Sequence, residues 1–245
     1  MGRLEKKTVI VSGGATRLSH TIASLFACEG ANVVVNSMSR EPTTKGEQTS
    51  VESEGTVIFK MIDVTKGSGW DSIIIFAQER FGGIDVLINN PDRFPRSRDK
   101  SSWDEILDVK LRGTHLGIQK VIPIMRKNRK GSIVNILSLS GLVGRRGLDY
   151  AQTVSDGGLR MLSKSIAMDY APEKIRCNTI VRGLMEGDGV GQFESGTIAQ
   201  QSSEIPLGRV CTENDIGFAA LFLASDESDW MTGAELTIDG GFTAQ

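Results

Sequence analysis

Residues Thr8-Val9-Ile10-Val11-Ser12-Gly13-Gly14-Ala15-Thr16-Arg17-Leu18-Ser19 carry the reading that decides the fold. A short β-branched run is broken by a glycine pair, and over residues 22–28 apolar side chains recur at helical spacing. This is a strand, a tight turn and a helix. The same alternation continues outward to the end of the chain. Residues 33–35, 57–62, 84–88, 132–137 and 176–181 read as further buried strands. Residues 42–53, 70–81, 103–125 and 159–170 read as the helices between them, with a last helix at 216–224 and a last strand at 235–238. Continuous apolar strands separated by crossover helices predict a parallel sheet covered on both faces, an α/β doubly wound (Rossmann-like) domain over residues 1–245. Residues 186–204, rich in Gly, Ser and Gln, are expected to form a mobile lid over the strand ends.

Composition narrows the function classes. The 245 residues hold 28 Lys+Arg against 30 Asp+Glu, a net charge of −2, which gives no electrostatic case for nucleic acid or a membrane surface. No apolar run approaches the ~20 residues that span a bilayer. The opening residues lack the apolar core of a secretory signal. Cys28, Cys177 and Cys211 are odd in number and far apart, while His20 and His115 have no second ligand at metal spacing. The expectation is a reduced, cytoplasmic chain with no metal.

Further segments add to the first loop: Glu29-Gly30-Ala31-Asn32, Asp63-Val64, Asp85-Val86-Leu87-Ile88-Asn89-Asn90, Gly131-Ser132-Ile133-Val134-Asn135, Ile175-Arg176-Cys177-Asn178 and Gly233-Ala234-Glu235-Leu236-Thr237-Ile238-Asp239-Gly240-Gly241. In this order the chain resembles the short-chain dehydrogenase/reductase family over essentially its whole length. The resemblance implies NAD(P)-dependent oxidation and reduction of alcohols and carbonyls, with a Gly-rich dinucleotide loop and a Ser, Tyr, Lys and Asn constellation. Carried over residue by residue, it implies cofactor contacts at Gly13, Asp63, Val64 and Asn89, and a catalytic serine at Ser138.

The chain departs from the family pattern at most of the remaining positions. The second and third glycines of the dinucleotide loop are Arg17 and Ser19. Arg17 is expected to fill the phosphate position and pair with Asp92, which follows Asn89-Asn90-Pro91. No acid stands near Ser37 to hold an NAD ribose, and Arg40 follows instead. Tyr150 lies 12 residues after Ser138, but four residues further on stands Val154 rather than lysine. Counting back from Gly157-Gly158-Leu159 gives another register, with Asp156 at the lysine position and Gln152 at the tyrosine position. The family asparagine is replaced by Lys110. The Pro-Gly after the sixth strand is Arg182-Gly183. A free phenol has a pKa of about 10 and ionises little at neutral pH without a nearby cation. Without its lysine, Tyr150 is expected to carry protons poorly. Lys110 and Asp156 are each in phase with the apolar stripe of their helix, which predicts a buried pair.

Three readings follow. The first is a degenerate family member, catalytically impaired, that binds no cofactor of its own. It would support an active, NAD(H)-binding paralogue in a hetero-oligomer, as among hydroxyacyl-CoA dehydrogenases of the benzylsuccinate-pathway type or alcohol dehydrogenases, or assemble with itself. The second is an active, atypical NAD(P)-dependent oxidoreductase using Ser138 and Tyr150, with Lys110 as a relocated lysine. The third is a regulatory module for another small ligand; the arginines at 93, 96, 98, 145 and 146 would suit an acidic one such as an acyl-CoA. The first is the expectation carried forward.

Overall fold

Strand β1 (Thr8–Ser12) is buried along its whole length, and its side chains alternate between two cores. Val9 and Val11 join Ile22 and Phe26 of helix α1 (Arg17–Cys28) on one face, whereas Ile10 joins Trp70 and Ile73 on the other. This alternation makes the strand continuously apolar and requires helices on both sides. The computed structural model describes residues 2–14, 16–37, 49–52, 55–91, 102–144, 149–185 and 202–245.

Eight strands form one sheet. They are β1, β2 (Asn32–Ser37), β3 (Thr49–Glu52), β4 (Gly55–Met61), β5 (Val86–Asn89), β6 (Gly131–Ser138), β7 (Ile175–Arg182) and β8 (Glu235–Ile238), in the spatial order β3-β4-β2-β1-β5-β6-β7-β8. All pairings are parallel except β3 with β4. Helix α2 is Gly67–Phe81. Helix α3 (Ser102–Leu107) passes through a π-helical turn, Asp108–Gly113, into α4 (Thr114–Asn128). Helix α5 is Tyr150–Tyr170 and α6 is Glu213–Ala224. α1 and α6 cover one face. α2, α4 and α5 cover the other, where Ile118, Met125, Ile133 and Cys177 share a core and Leu137, Leu159 and Val181 extend it toward the carboxyl ends of the strands.

The doubly wound architecture agrees with the sequence reading. One element does not. Part of the helix expected over 42–53 is the edge strand β3, because Thr49, Ser50 and Val51 pair antiparallel with β4 and cover its open edge. Residues 186–201, most of the expected lid, lie outside the described residues.

The sheet leads the chain outward from β1 in both directions, to β2 and to β5. A crevice therefore opens beyond the carboxyl ends of β1 and β5, where ligands bind in sheets of this kind. Burial also sorts the cysteines: Cys28 is exposed, whereas Cys177 is fully enclosed and desolvation pushes its thiol up to about 12. Iodoacetamide at neutral pH should alkylate Cys28 in the folded chain and reach Cys177 only after unfolding. Early labelling of Cys177, read by peptide mass spectrometry, would mean that the β6–β7 core is open.

Candidate active site

The turn after β1 is shaped by asparagines. Asn36 of β2 accepts from the Gly13 amide through Oδ1 at 3.0 Å, and its backbone carbonyl accepts from the Gly14 amide at 2.9 Å. Gly13 has φ of 129°, and a Cβ there would lie 1.6 Å from the Asn90 carbonyl oxygen. No other residue type fits. A Cβ on Gly14, by contrast, would meet nothing within 4 Å among the described residues. Asn90 donates through Nδ2 to Ser19 Oγ at 3.0 Å, and Thr16 caps α1 by accepting from the Ser19 amide at 3.1 Å. Ser19 thus does with hydrogen bonds what a glycine would do with close approach: it anchors the start of α1 to β5.

Arg17 has an acidic partner on another helix. Its Nε pairs with Glu213 Oε1 at 2.9 Å. Gly217 of α6 rests on Thr21 and Leu25 of α1, so the residue one turn earlier on α6 comes beside Arg17. Asp92 lies outside the described residues, as do Arg40, Arg93, Arg96, Arg98, Arg145 and Arg146. The Arg17 side chain is 75% exposed and does not fill the space above Gly14 as a buried plug would.

This geometry suits a dinucleotide diphosphate. The Gly14 backbone is open, α1 has no acid in its first turn to neutralise its positive end, and a guanidinium stands on that first turn. Asp63 and Val64 follow β4. Hydrogen bonds from Thr65, and Lys66 at 3.1 Å, hold the Asp63 carboxyl below its ordinary range, and the Val64 carbonyl accepts from Trp70 Nε1 at 3.0 Å. Asn89 turns into the sheet instead. It donates to Asn135 Oδ1 at 2.8 Å, and Asn135 donates to Ser163 Oγ at 2.8 Å, riveting β5, β6 and α5 together.

The chemical end lies between β6, the π-helical turn and α5. The π turn brings Val109, Lys110 and Gly113 inward together, and Lys110 Nζ meets Asp156 Oδ1 at 2.6 Å. The other carboxylate oxygen of Asp156 accepts from Ser140 Oγ at 2.5 Å. All three residues are buried: Lys110 is 3% exposed, Asp156 0% and Ser140 6%. The turn after β6 can lie this close because Gly141 has no Cβ; one would stand 3.1 Å from the Asp156 backbone.

The two candidate lysine positions on α5 differ in exposure. Val154 is 50% exposed and Asp156 is enclosed, so the helix presents the face of Asp156 and, one turn earlier, half-buried Gln152. Tyr150 is the first residue of α5 and 81% exposed. Six residues on a helix separate it from Asp156 by about 120°. The structure therefore joins Lys110 to Asp156 and Ser140 but does not bring Tyr150 onto that pair. Ser138 ends β6, opposite Arg182 of β7 in register, and is half-buried. Asn36, Ser140 and Glu213 escaped the sequence reading. Only Asn90 had a signal there, the Asn-Asn doublet. Among the described residues no group of His, Cys, Asp or Glu is placed to hold a metal, and no helix is long and apolar enough to cross a membrane.

Residues 14–243 match the family model described as enoyl-(acyl carrier protein) reductase. The chain is 34% identical to the 2,5-dichloro-2,5-cyclohexadiene-1,4-diol dehydrogenase LinX of Sphingobium indicum, over 98% of both proteins. It is 35% identical to the trans-4-hydroxycyclohexanecarboxylate dehydrogenase of Sinomonas cyclohexanicum, over 99% of this chain and 95% of that one. A crystal structure from Burkholderia xenovorans, assigned to the short-chain dehydrogenases/reductases, superposes with a TM-score of 0.83 at 28% identity, covering 100% of this chain and 99% of the other. The chain belongs to the short-chain dehydrogenase/reductase family. Relatives matched from end to end are named as dehydrogenases, and this overturns the expectation of an impaired, supporting subunit.

The buried pair makes a measurable claim about stability. Lys110→Met leaves the Asp156 carboxylate enclosed without its cation, which should cost about 3–5 kcal/mol in urea unfolding. Lys110→Met/Asp156→Leu should recover most of that loss. Additive losses would mean that the two groups do not depend on each other.

Proposed function

We propose that the chain is an active NAD(P)-dependent oxidoreductase that interconverts a secondary alcohol, carried on a small ring, and its ketone. The observation that carries this reading is a buried ammonium, Lys110, kept in the cleft at the carboxyl edge of the sheet. Two supports stand beside it. The first turn and the start of α1 suit a diphosphate, and full-length relatives are named for alcohols on six-membered rings.

Gly13, Gly14 and the first turn of α1 would hold the diphosphate, with Asp63 and Val64 at the adenine end. When bound, the nicotinamide supplies the hydride acceptor or donor. The chain's own task is the proton and the alignment of the substrate oxygen. Ser138, at the end of β6, would hydrogen-bond that oxygen. The sequence has two tyrosines, and Tyr170 ends α5 at the far edge of the sheet. Tyr150, at the near end, is therefore the phenol available to give a proton to the forming alkoxide or take one from the alcohol. Lys110, balanced by Asp156, keeps a buried cation in the cleft, about 120° around α5 from Tyr150.

The test is turnover of 4-hydroxycyclohexanecarboxylate and cyclohexanol with NAD and with NADP, followed by absorbance of the reduced cofactor. Turnover is expected with one of them. Tyr150→Phe and Ser138→Ala should each lower kcat by roughly 10²–10⁴. Full activity of Tyr150→Phe together with loss in Gln152→Ala would remove the phenol from this role. Absence of turnover with either cofactor, across ring and open-chain secondary alcohols, would contradict the reading as a whole.

A further inference from the structure

Arg17 and Glu213 form a contact that neither the fold nor the proton chemistry needs. Both stand on the first residues of their helices, and α1 and α6 run side by side in the same direction, so both ends open at the ligand edge of the sheet. The Arg17 side chain is 75% exposed and that of Glu213 only 17%. The closest approach is through Nε, at 2.9 Å. The neighbouring acid, Asp215, is held by Arg209 at 2.7 Å and by the Thr212 amide at 2.8 Å, so it does not compete for Arg17. A pair this exposed is weak, whereas a guanidinium binds phosphate oxygens with two parallel hydrogen bonds.

We propose that Arg17 is a diphosphate-binding residue held in waiting by Glu213, so that dinucleotide affinity is set by competition between a carboxylate and a phosphate for one guanidinium. The inference rests on the reading of the chain as a dinucleotide-dependent oxidoreductase. Glu213 holds the arginine at the start of α1, and the incoming diphosphate displaces the carboxylate.

Calorimetric titration of the full chain with ADP-ribose and with adenosine tests this without reference to turnover. Arg17→Met should weaken ADP-ribose binding by about tenfold or more and leave adenosine unchanged. Arg17→Lys should keep part of the affinity. Glu213→Gln should tighten ADP-ribose several-fold, and that gain should vanish in the Arg17→Met background. Unchanged or tighter binding by Arg17→Met overturns the proposal, as does a Glu213→Gln effect independent of Arg17. Failure of the wild-type chain to bind ADP-ribose overturns it too. Binding of ADP-ribose that depends on Arg17, without turnover of any alcohol, would support the latch and remove only the oxidoreductase reading.

Discussion

An ammonium and a carboxylate taken out of water together must satisfy each other, because each alone would carry a desolvation cost of several kcal/mol (roughly). Lys110 and Asp156 meet that requirement at 2.6 Å, and Ser140 occupies the remaining carboxylate oxygen. The constraint reaches well beyond the three residues. It needs the π-helical turn at Asp108–Gly113 to bring Lys110 inward, Gly141 to let the turn after β6 approach α5, and α5 to rotate so that Asp156 faces the cleft. That rotation in turn leaves Val154 and Tyr150 facing water. The cleft thus keeps a cation, carried by the π-helical turn and faced by an acid on α5.

The nucleotide end shows the same economy. Two glycines are absent, yet the start of α1 is still bound tightly to the sheet, through Asn36, Asn90, Thr16 and Ser19. The helix terminus remains unneutralised, and the arginine at its first position is tied lightly to α6. Loss of a motif residue is a different event from loss of the space or charge that the motif provides. The full-length likeness to named dehydrogenases accords with that distinction, and the idea of a silent supporting subunit rested on motif residues alone.

How far the molecule can be read from its sequence follows from what each signal depends on. Strands such as β1 and β5 are enclosed on both faces, so their cores read as short apolar runs. The inward phase of Lys110 and Asp156 was legible for the same reason, since helical periodicity reports burial. β3 was not legible: an edge strand of Thr, Ser and Val pairs through its backbone, and its side chains carry little pattern. Nor was the partner of Arg17, because Glu213 is close only through the parallel packing of α1 on α6, nearly 200 residues apart in the chain. The two registers at the start of α5, with Tyr150 or Gln152 at the tyrosine position, lie two residues apart; spacing alone left both open, and burial favours the one with Asp156 inward.

The account stands on Lys110 acting in the cleft as well as bracing it. The most direct measurement is the steady-state turnover of Lys110→Met/Asp156→Leu, the variant that removes both charges while keeping the space filled, compared with the wild-type chain under saturating cofactor. The account predicts a folded protein whose kcat has fallen by about 100-fold or more. A folded double variant that turns over at the wild-type rate would contradict it and leave the pair as a strut alone.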